Sequence, residues 1–483
     1  MKDSFVELIL DTGDYMCQWE FPSSPSDPTV REPFGSITLG ARILPLGHIY
    51  GDVPHRRMDG TVSFPQTVEY PVVFGRLQNN MDIVLVDAIV EPFMTDSGFL
   101  RGSRAMVGLG IREVPDQLYS RCRVQVTGLD PFFGQPPLRE TVTPRNSPFI
   151  DGAFSVRGNP ASTHVWNDDG IGIRCSYDMQ ADGLNFYHHE LRFFPVVTLN
   201  SPEPLSVDGW LDEWVSPLVW LTTLATGQVQ EATYVGLKST SGVTSSQGAT
   251  EVTAQVFGPW ISQAPYASTG RRVDELGRPL ESVISLAESS LSLPSLIRQS
   301  KAIEATSNPF PELYRLALIP DLPERARFLY LLQAFEGLHG FENDAQDEAD
   351  AETHRARRSA ILNGLAGALE REDIQYVRET WPSRPPSNLA RVLAKLNVAL
   401  PAAAASAVES LRTTELARAY PSETSVYEML RLIRNDLAHG RRSYSDSVLV
   451  PWNRLLDRLA RAHMLRLLRC PQSMVEDALV ATD

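Results

Sequence analysis

The chain has 483 residues, of which 43% are apolar and 21% charged. That is the composition of a folded globular protein, it excludes a disordered chain, and at this length two or three domains are expected. A formal net charge of −15 excludes a protein that coats nucleic acid nonspecifically. No apolar run approaches the roughly 20 residues that cross a bilayer. Met1 opens onto Lys2, Asp3 and Ser4 with no apolar signal core, so a cytoplasmic protein without membrane attachment is expected. The cysteines, Cys17, Cys122, Cys175 and Cys470, are scattered, which fits a reducing compartment and neither a disulfide framework nor a zinc site.

Up to about residue 275, β-branched and aromatic residues alternate with polar ones in short runs. Phe5–Leu10, Ser36–Leu39, Thr61–Phe64, Ile83–Val90, Cys122–Val126, Ile171–Tyr177, Leu191–Thr198 and Glu251–Val256 read as strands between Gly, Pro, Asn and Asp clusters. The pattern predicts a mostly antiparallel β domain over 1–275, a sandwich or an open barrel. One helical insertion is predicted over Val207–Leu224, with a kink or helix start near Ser216 because Pro217 has no amide hydrogen. Its tryptophans, Trp210 and Trp214, read as core. Ser239–Gly248, rich in Ser, Thr and Gly, reads as a loop. His188, His189 and Glu190 are adjacent, but neighbours on a strand face opposite ways, and no metal site is assigned to them.

From 276 to 483 the periodicity is helical and an all-α domain is predicted, giving an α+β chain of two segregated domains. Leu322–His339 starts at Pro323 and carries an apolar stripe. The acidic run Glu342–Glu352 reads as a solvent loop or frayed helix start, and His354–Glu370 as the next helix. The proline-rich stretch Trp381–Ser387 breaks the chain. Asn388–Leu400 and Ala402–Ala419 follow as helices. Ser425-Val-Tyr-Glu428 has capping-box spacing and should open a further helix, with Gly440 as its stop. A long amphipathic helix over Asp446–Leu468 closes the domain. The sequence shows no internal repeat, no Walker A loop and no dinucleotide glycine fingerprint.

The helix between Ser425 and Gly440 carries Arg434, Asn435 and His439. This places a fixed cation, an amide and a titratable imidazole at one helix end, groups that bind a phosphodiester and move protons at neutral pH. Asn435 and His439 share a helix face, whereas Arg434 and His439 lie about 140° apart at 3.6 residues per turn. A groove at the helix end, or two copies meeting across a twofold axis, resolves that separation. Arg458 and His463 repeat the bare spacing without Asn or a terminal Gly, and read as incidental. From Arg431 to Cys470 there are nine arginines against three acids. This is a solvated helix face or a local phosphate-attracting patch on an acidic body, with Arg431, Arg441 and Arg442 as the candidate RNA-binding residues.

The motif resembles the signature of HEPN ribonucleases. The pattern Leu432-Ile-Arg434-Asn435-x-x-Ala438-His439-Gly440 before a leucine-rich helix resembles the HEPN domain of the ApeA family. Leu331-Leu-Gln-Ala-Phe-Glu336 resembles that domain's first helix. Trp19-Glu-Phe-Pro, Gly35-Ser-Ile-Thr-Leu-Gly and Leu46-Gly-His-Ile-Tyr-Gly-Asp resemble the ApeA N-terminal domain. The resemblance implies a bacterial anti-phage, abortive-infection endoribonuclease that works as a homodimer through the HEPN domain or as a tetramer, answers a phage-encoded trigger, and cleaves RNA, with tRNA suggested by related HEPN toxins. It implies no metal and no cofactor, since RNA supplies its own nucleophile, the 2′-OH. Products would be a 2′,3′-cyclic phosphate and a 5′-OH. His439 would move the proton, Arg434 would bind the scissile phosphate, and Asn435 would hold either. Glu336 either orients His439, pairs with Arg434 or is an exposed helix glutamate; Asp436 is either a surface residue or part of the site. The competing expectation is a HEPN bundle that binds nucleic acid or protein without catalysis, and a third makes the β domain a recognition module on a helical base.

Overall fold

A computed structural model describes residues 10–22, 32–40, 42–55, 57–58, 61–62, 64–111, 118–141, 156–185, 188–239, 244–245, 248–249, 252–261, 281–288, 290–365, 368, 370–383, 388–420 and 424–480. The chain forms two compact units, 1–226 with 230–297, and 298–483 with 227–229. The expected boundary at 275/276 lies outside the described residues, as does most of the predicted strand Phe5–Leu10.

The first unit is built on one sheet of thirteen strands: β1 (Gly13–Glu20), β2 (Phe34–Leu39), β3 (Leu46–Tyr50), β4 (Val68–Leu77), β5 (Asp82–Met94), β6 (Ser97–Arg101), β7 (Arg104–Leu109), β8 (Tyr119–Val126), β9 (His164–Asp168), β10 (Ile171–Asn185), β11 (His188–Leu205), β12 (Ala232–Ser239) and β13 (Val252–Phe257). Its strand pairs are all antiparallel. Six strands close on themselves in the order β5-β4-β1-β2-β3-β6-β5. The other seven leave the ring as an open sheet, β7-β13-β12-β8-β11-β10-β9. The antiparallel β unit is as expected: six strands form the barrel, and the sheet continues from it as seven further strands.

Both outcomes depend on β5. Residues Asp82–Val86 pair with β7, while Ile89–Met94 pair with β6. Asp87 lies between these halves with φ 48°. The Ser103 amide donates to the Val86 carbonyl at 2.9 Å, and its hydroxyl donates to Asp87 Oδ2 at 2.9 Å. The chain between β6 and β7 is thus pinned where one strand changes partners. Trp19, Phe21, Ile37, Ile49, Val73 and Leu85 are among the buried residues that fill the interior. Period-2 alternation puts them there, because successive side chains face opposite sides. Gly35 belongs to this packing. A Cβ there would collide with the His48 carbonyl and come within 2.8 Å of Trp19 Nε1, so the barrel wall admits only hydrogen at that point.

The helical insertion runs from Val207 to Thr226. Ser206 caps it by accepting from the Gly209 amide at 3.0 Å. Where a kink or helix start was expected near Ser216, a π-helical turn over Leu211–Val215 gives way to the α-helix Ser216–Thr226, a widened turn that absorbs a lost backbone bond. Trp210 and Trp214 are buried, and Trp210 Nε1 donates to the Tyr119 carbonyl at 2.9 Å. Most of Ser239–Gly248 lies outside the described residues. Its described part pairs Thr244 with Ala249 and Ser245 with Gly248, where a loop was expected.

The second unit is helical, as expected. Numbering α1 (Leu129–Phe133), α2 (Ser216–Thr226) and α3 (Leu293–Glu304) first, it comprises α4 (Phe310–Ala317), α5 (Glu324–Leu365), α6 (Arg371–Thr380), α7 (Leu389–Val398), α8 (Ala402–Ser410), α9 (Val426–Ala438), α10 (Asp446–Leu467) and α11 (Gln472–Asp477). Three expectations are corrected. The helix expected over His354–Glu370 is not a separate element, since His354 lies inside α5, which runs on to Leu365. The acidic run Glu342–Glu352 is neither loop nor frayed start but the middle of a continuous 42-residue α5. Within 342–352 alanines are interspersed with the acids and there is no Gly or Pro, and Glu342 and Glu348 pair with Arg466 and Arg355. The helix expected over Ala402–Ala419 ends at Ser410 and continues as two 3₁₀ turns, Leu411–Thr413 and Ala417–Ala419. Thr414 turns extended there, and its hydroxyl accepts from the Ala417 amide at 3.4 Å. Such hydroxyls compete with helix continuation. No helix among the described residues is long and apolar enough to cross a membrane.

Candidate functional site

The site lies at the C-terminal end of α9. Ser425 accepts from the Glu428 amide at 3.1 Å, satisfying one of the amides left open at a helix start. The reciprocal half of the capping box is not made. Glu428 turns instead to Arg431, whose Nε donates to it at 2.8 Å. Val426, Met429, Leu430, Ile433 and Leu437 form the buried stripe. That spacing leaves Arg434, Asn435 and Asp436 on the half-exposed side. At the far end Gly440 has φ 65°. Its amide donates to the Leu437 carbonyl at 3.3 Å, and the Arg441 amide donates to Asp436 at 2.9 Å. This is the Schellman closure, for which glycine carries no Cβ penalty.

Arg434 and Asn435 are joined, since Arg434 Nη1 donates to Asn435 Oδ1 at 3.3 Å. Of the readings open for Glu336, pairing with Arg434 is the one observed. Arg434 Nη2 lies 3.3 Å from Glu336 Oε2, with the two side chains 32% and 35% exposed. Glu336 comes from α5, 98 residues away in sequence. At that exposure the pair is weak and solvent-screened, so a phosphate can compete for the guanidinium. His439 is the C-cap residue, with φ −93° and ψ 2°, so ideal helix geometry does not govern its side chain. Its amide donates to the Asn435 carbonyl at 3.0 Å. The residue is exposed, and among the described residues its ring makes no hydrogen bond. Neither cation nor imidazole is sealed inside.

Of the three arginines expected to bind RNA, Arg431 is held by Glu428. Arg442 Nε lies 3.7 Å from Asp436 Oδ2. Arg441 is exposed. Arg325, in the first turn of α5, was not singled out in the sequence, yet it donates to the Leu437 carbonyl. A cation there opposes the partial negative charge of the α9 C-terminus. His339 was missed as well. One turn beyond Glu336, it is buried, with Nδ1 3.7 Å from Asp347 Oδ2 and Nε2 unbonded. Glu336 and His339 face a cavity of about 780 Å³, whose walls include Asp344, Asp347, Arg391 and Lys395. The motif around His439 could have pointed to neither Arg325 nor His339, because nothing in spacing links α5 to α9.

His463, the second spacing match, is buried and meets the rings of Phe310 and Phe335 at 6.3 and 5.9 Å. Burial, and then the charge of Arg466, push its pKa down to about 3, so it is a neutral core histidine. The side chains of His188, His189 and Glu190 lie outside the described residues. Among the described residues, no group of three or more His, Cys, Asp or Glu is placed to hold a metal ion.

Fold and site together define a two-unit α+β protein: a closed antiparallel barrel with an extending sheet, and a helical unit that presents an arginine, an amide and a histidine at one helix end. Residues 40–265, just under half of the chain, match the family model for ApeA N-terminal domain 1, which supports the resemblance to the ApeA family. The match begins just after β2, so Leu46–Asp52 falls inside it while Trp19–Pro22 and most of Gly35–Gly40 precede it. No curated protein and no solved structure matches the chain significantly.

Proposed function

We propose that this chain is an anti-phage, abortive-infection endoribonuclease of the HEPN type, cleaving RNA without a metal through attack of the 2′-OH. The observation that carries the reading is the arrangement at the end of α9: Arg434, Asn435 and Glu336 hydrogen-bonded together beside an exposed His439. Arg434 binds the scissile phosphate and offsets charge on its oxygens. His439 moves the proton. Asn435 and Glu336 hold the guanidinium in its plane. The match of residues 40–265 to ApeA N-terminal domain 1 supports the defence setting. Two copies meeting at this helix end bring a second Arg–His set to one phosphate, so the working unit is a homodimer or a tetramer of such dimers. tRNA is the substrate class to try first, and a phage-encoded product the trigger.

The test is RNA cleavage by the purified chain in EDTA. His439→Ala and Arg434→Ala each lower the rate by about 10²-fold or more, with thermal unfolding unchanged. Cleavage ends are 2′,3′-cyclic phosphate and 5′-OH, and a 2′-deoxy sugar at the cut site blocks the reaction. Cutting that survives both substitutions removes this site from consideration. A non-catalytic nucleic-acid- or protein-binding module is the second reading. It is favoured by one observation, that Arg434 already has a carboxylate partner. Under that reading, induced wild type and His439→Ala leave cells growing equally during phage challenge.

A further inference from the structure

Among the described residues the His439 side chain makes no hydrogen bond, and every residue from Ala438 to Ser443 is exposed. Something other than core packing must fix where this loop puts the imidazole and the two arginines after it. The near end is held by the backbone bonds of the Schellman closure. The far end is held by side chains. The Tyr444 hydroxyl donates to Asp436 Oδ2 at 3.1 Å. It also lies 3.0 Å from the Tyr420 hydroxyl. Each phenol has one proton and a carboxylate can only accept. Tyr444 therefore spends its proton on Asp436, and Tyr420 must donate to Tyr444. Burial first, and Tyr444 next, push the Tyr420 pKa up, so the donor at the head of the chain stays protonated at neutral pH. The same Asp436 oxygen attracts Arg442, 3.7 Å away. One carboxylate in the last turn of α9 thus ties two residues that lie beyond His439.

We propose that Asp436 and Tyr444 are positioning residues of the RNA-cleaving site, through a directed relay Tyr420→Tyr444→Asp436 that closes the loop carrying His439, Arg441 and Arg442. The inference rests on the ribonuclease reading of His439. It gives Asp436 a role inside the site without contact to substrate. A closed loop limits the positions open to the imidazole before RNA arrives, and a misplacement of about 1 Å at a reacting group costs about 10²-fold in rate.

The experiment uses the full-length chain with Tyr444→Phe, Asp436→Ala and Asp436→Asn. It reads amide hydrogen exchange over residues 439–444 and RNA cleavage in EDTA. Tyr444→Phe is expected to speed exchange in the loop about tenfold and to lower kcat about tenfold with KM nearly unchanged, while the thermal midpoint stays put. Asp436→Ala does the same. Asp436→Asn still accepts from Tyr444 and restores kcat and slow exchange, a rescue that a merely structural aspartate would not require. Exchange in Tyr444→Phe equal to wild type overturns the relay. A loosened loop with unaltered kcat overturns its role in positioning. A wild-type chain that cuts no RNA overturns the site reading itself, and the exchange data then decide separately whether the relay holds the loop.

Discussion

The barrel and the helical unit treat ionisable groups in opposite ways. In the barrel, Trp19, Ile37, Val73 and Leu85 belong to one buried cluster of apolar side chains. The helical unit carries titratable groups in its interior. Tyr314 donates to Asp457 at 2.9 Å, and burial raises the pKa of both. His463 and His339 are buried on neighbouring elements. A barrel satisfies its backbone in a closed ring of strand pairs and asks only for volume inside. A helix leaves four carbonyls open at its end, and polar groups gather there. The chemistry proposed for this protein sits at such an end, on α9, while in the barrel Gly35 and Trp19 meet through close packing.

The comparison can be broken most sharply at Trp19. Trp19→Ala empties a fully buried position and should destabilise the first unit by about 3–5 kcal/mol, read as a shifted urea midpoint, without changing any RNA cleavage by the helical unit beyond the loss of folded protein. A smaller shift would mean that the barrel collapses onto the gap. The next largest effect is the pH dependence that His463 gives the helical unit. The folded pKa of His463 is pushed down to about 3, against an unfolded value near 6.5. Stability from this group is therefore fully present above pH 6.5 and lost as pH falls toward 3. Between pH 6.5 and 5 the loss should reach about 2 kcal/mol, and His463→Met should flatten that slope in denaturant titrations. An unchanged slope would place the acid sensitivity elsewhere. The smallest effect is at the start of α9. Ser425→Ala removes the cap and should cost about 1 kcal/mol. Because Glu428 does not complete the box, Glu428→Gln should cost less than Ser425→Ala; the reverse order would show that the Arg431 pair matters more than the cap.

Local features were legible. The cap at Ser425, the stop at Gly440 and the amphipathic stripes of α9 and α10 follow from residues within a few positions of one another. The acidic stretch of α5 was not legible. Its charge suggested a solvent loop or a frayed helix start, whereas Glu342 finds Arg466 from α10, a partner 124 residues away. The pairing of Arg434 with Glu336 was one of several readings until α5 and α9 were seen side by side. His339 and Arg325 gave no signal, since a buried histidine and a first-turn arginine resemble many others.

By itself the sequence determined the class of each unit, the helix that carries the motif and both its ends, because these follow from hydrophobic period, caps and turn residues that act over one or two turns. Tertiary structure alone decided that six strands close while seven run on, since Asp87 and Ser103 are joined across a change of strand partner. It also decided that Glu336 faces Arg434 and that Tyr420 and Tyr444 converge on Asp436. These contacts join side chains from separate elements, and their geometry is set by how the elements pack.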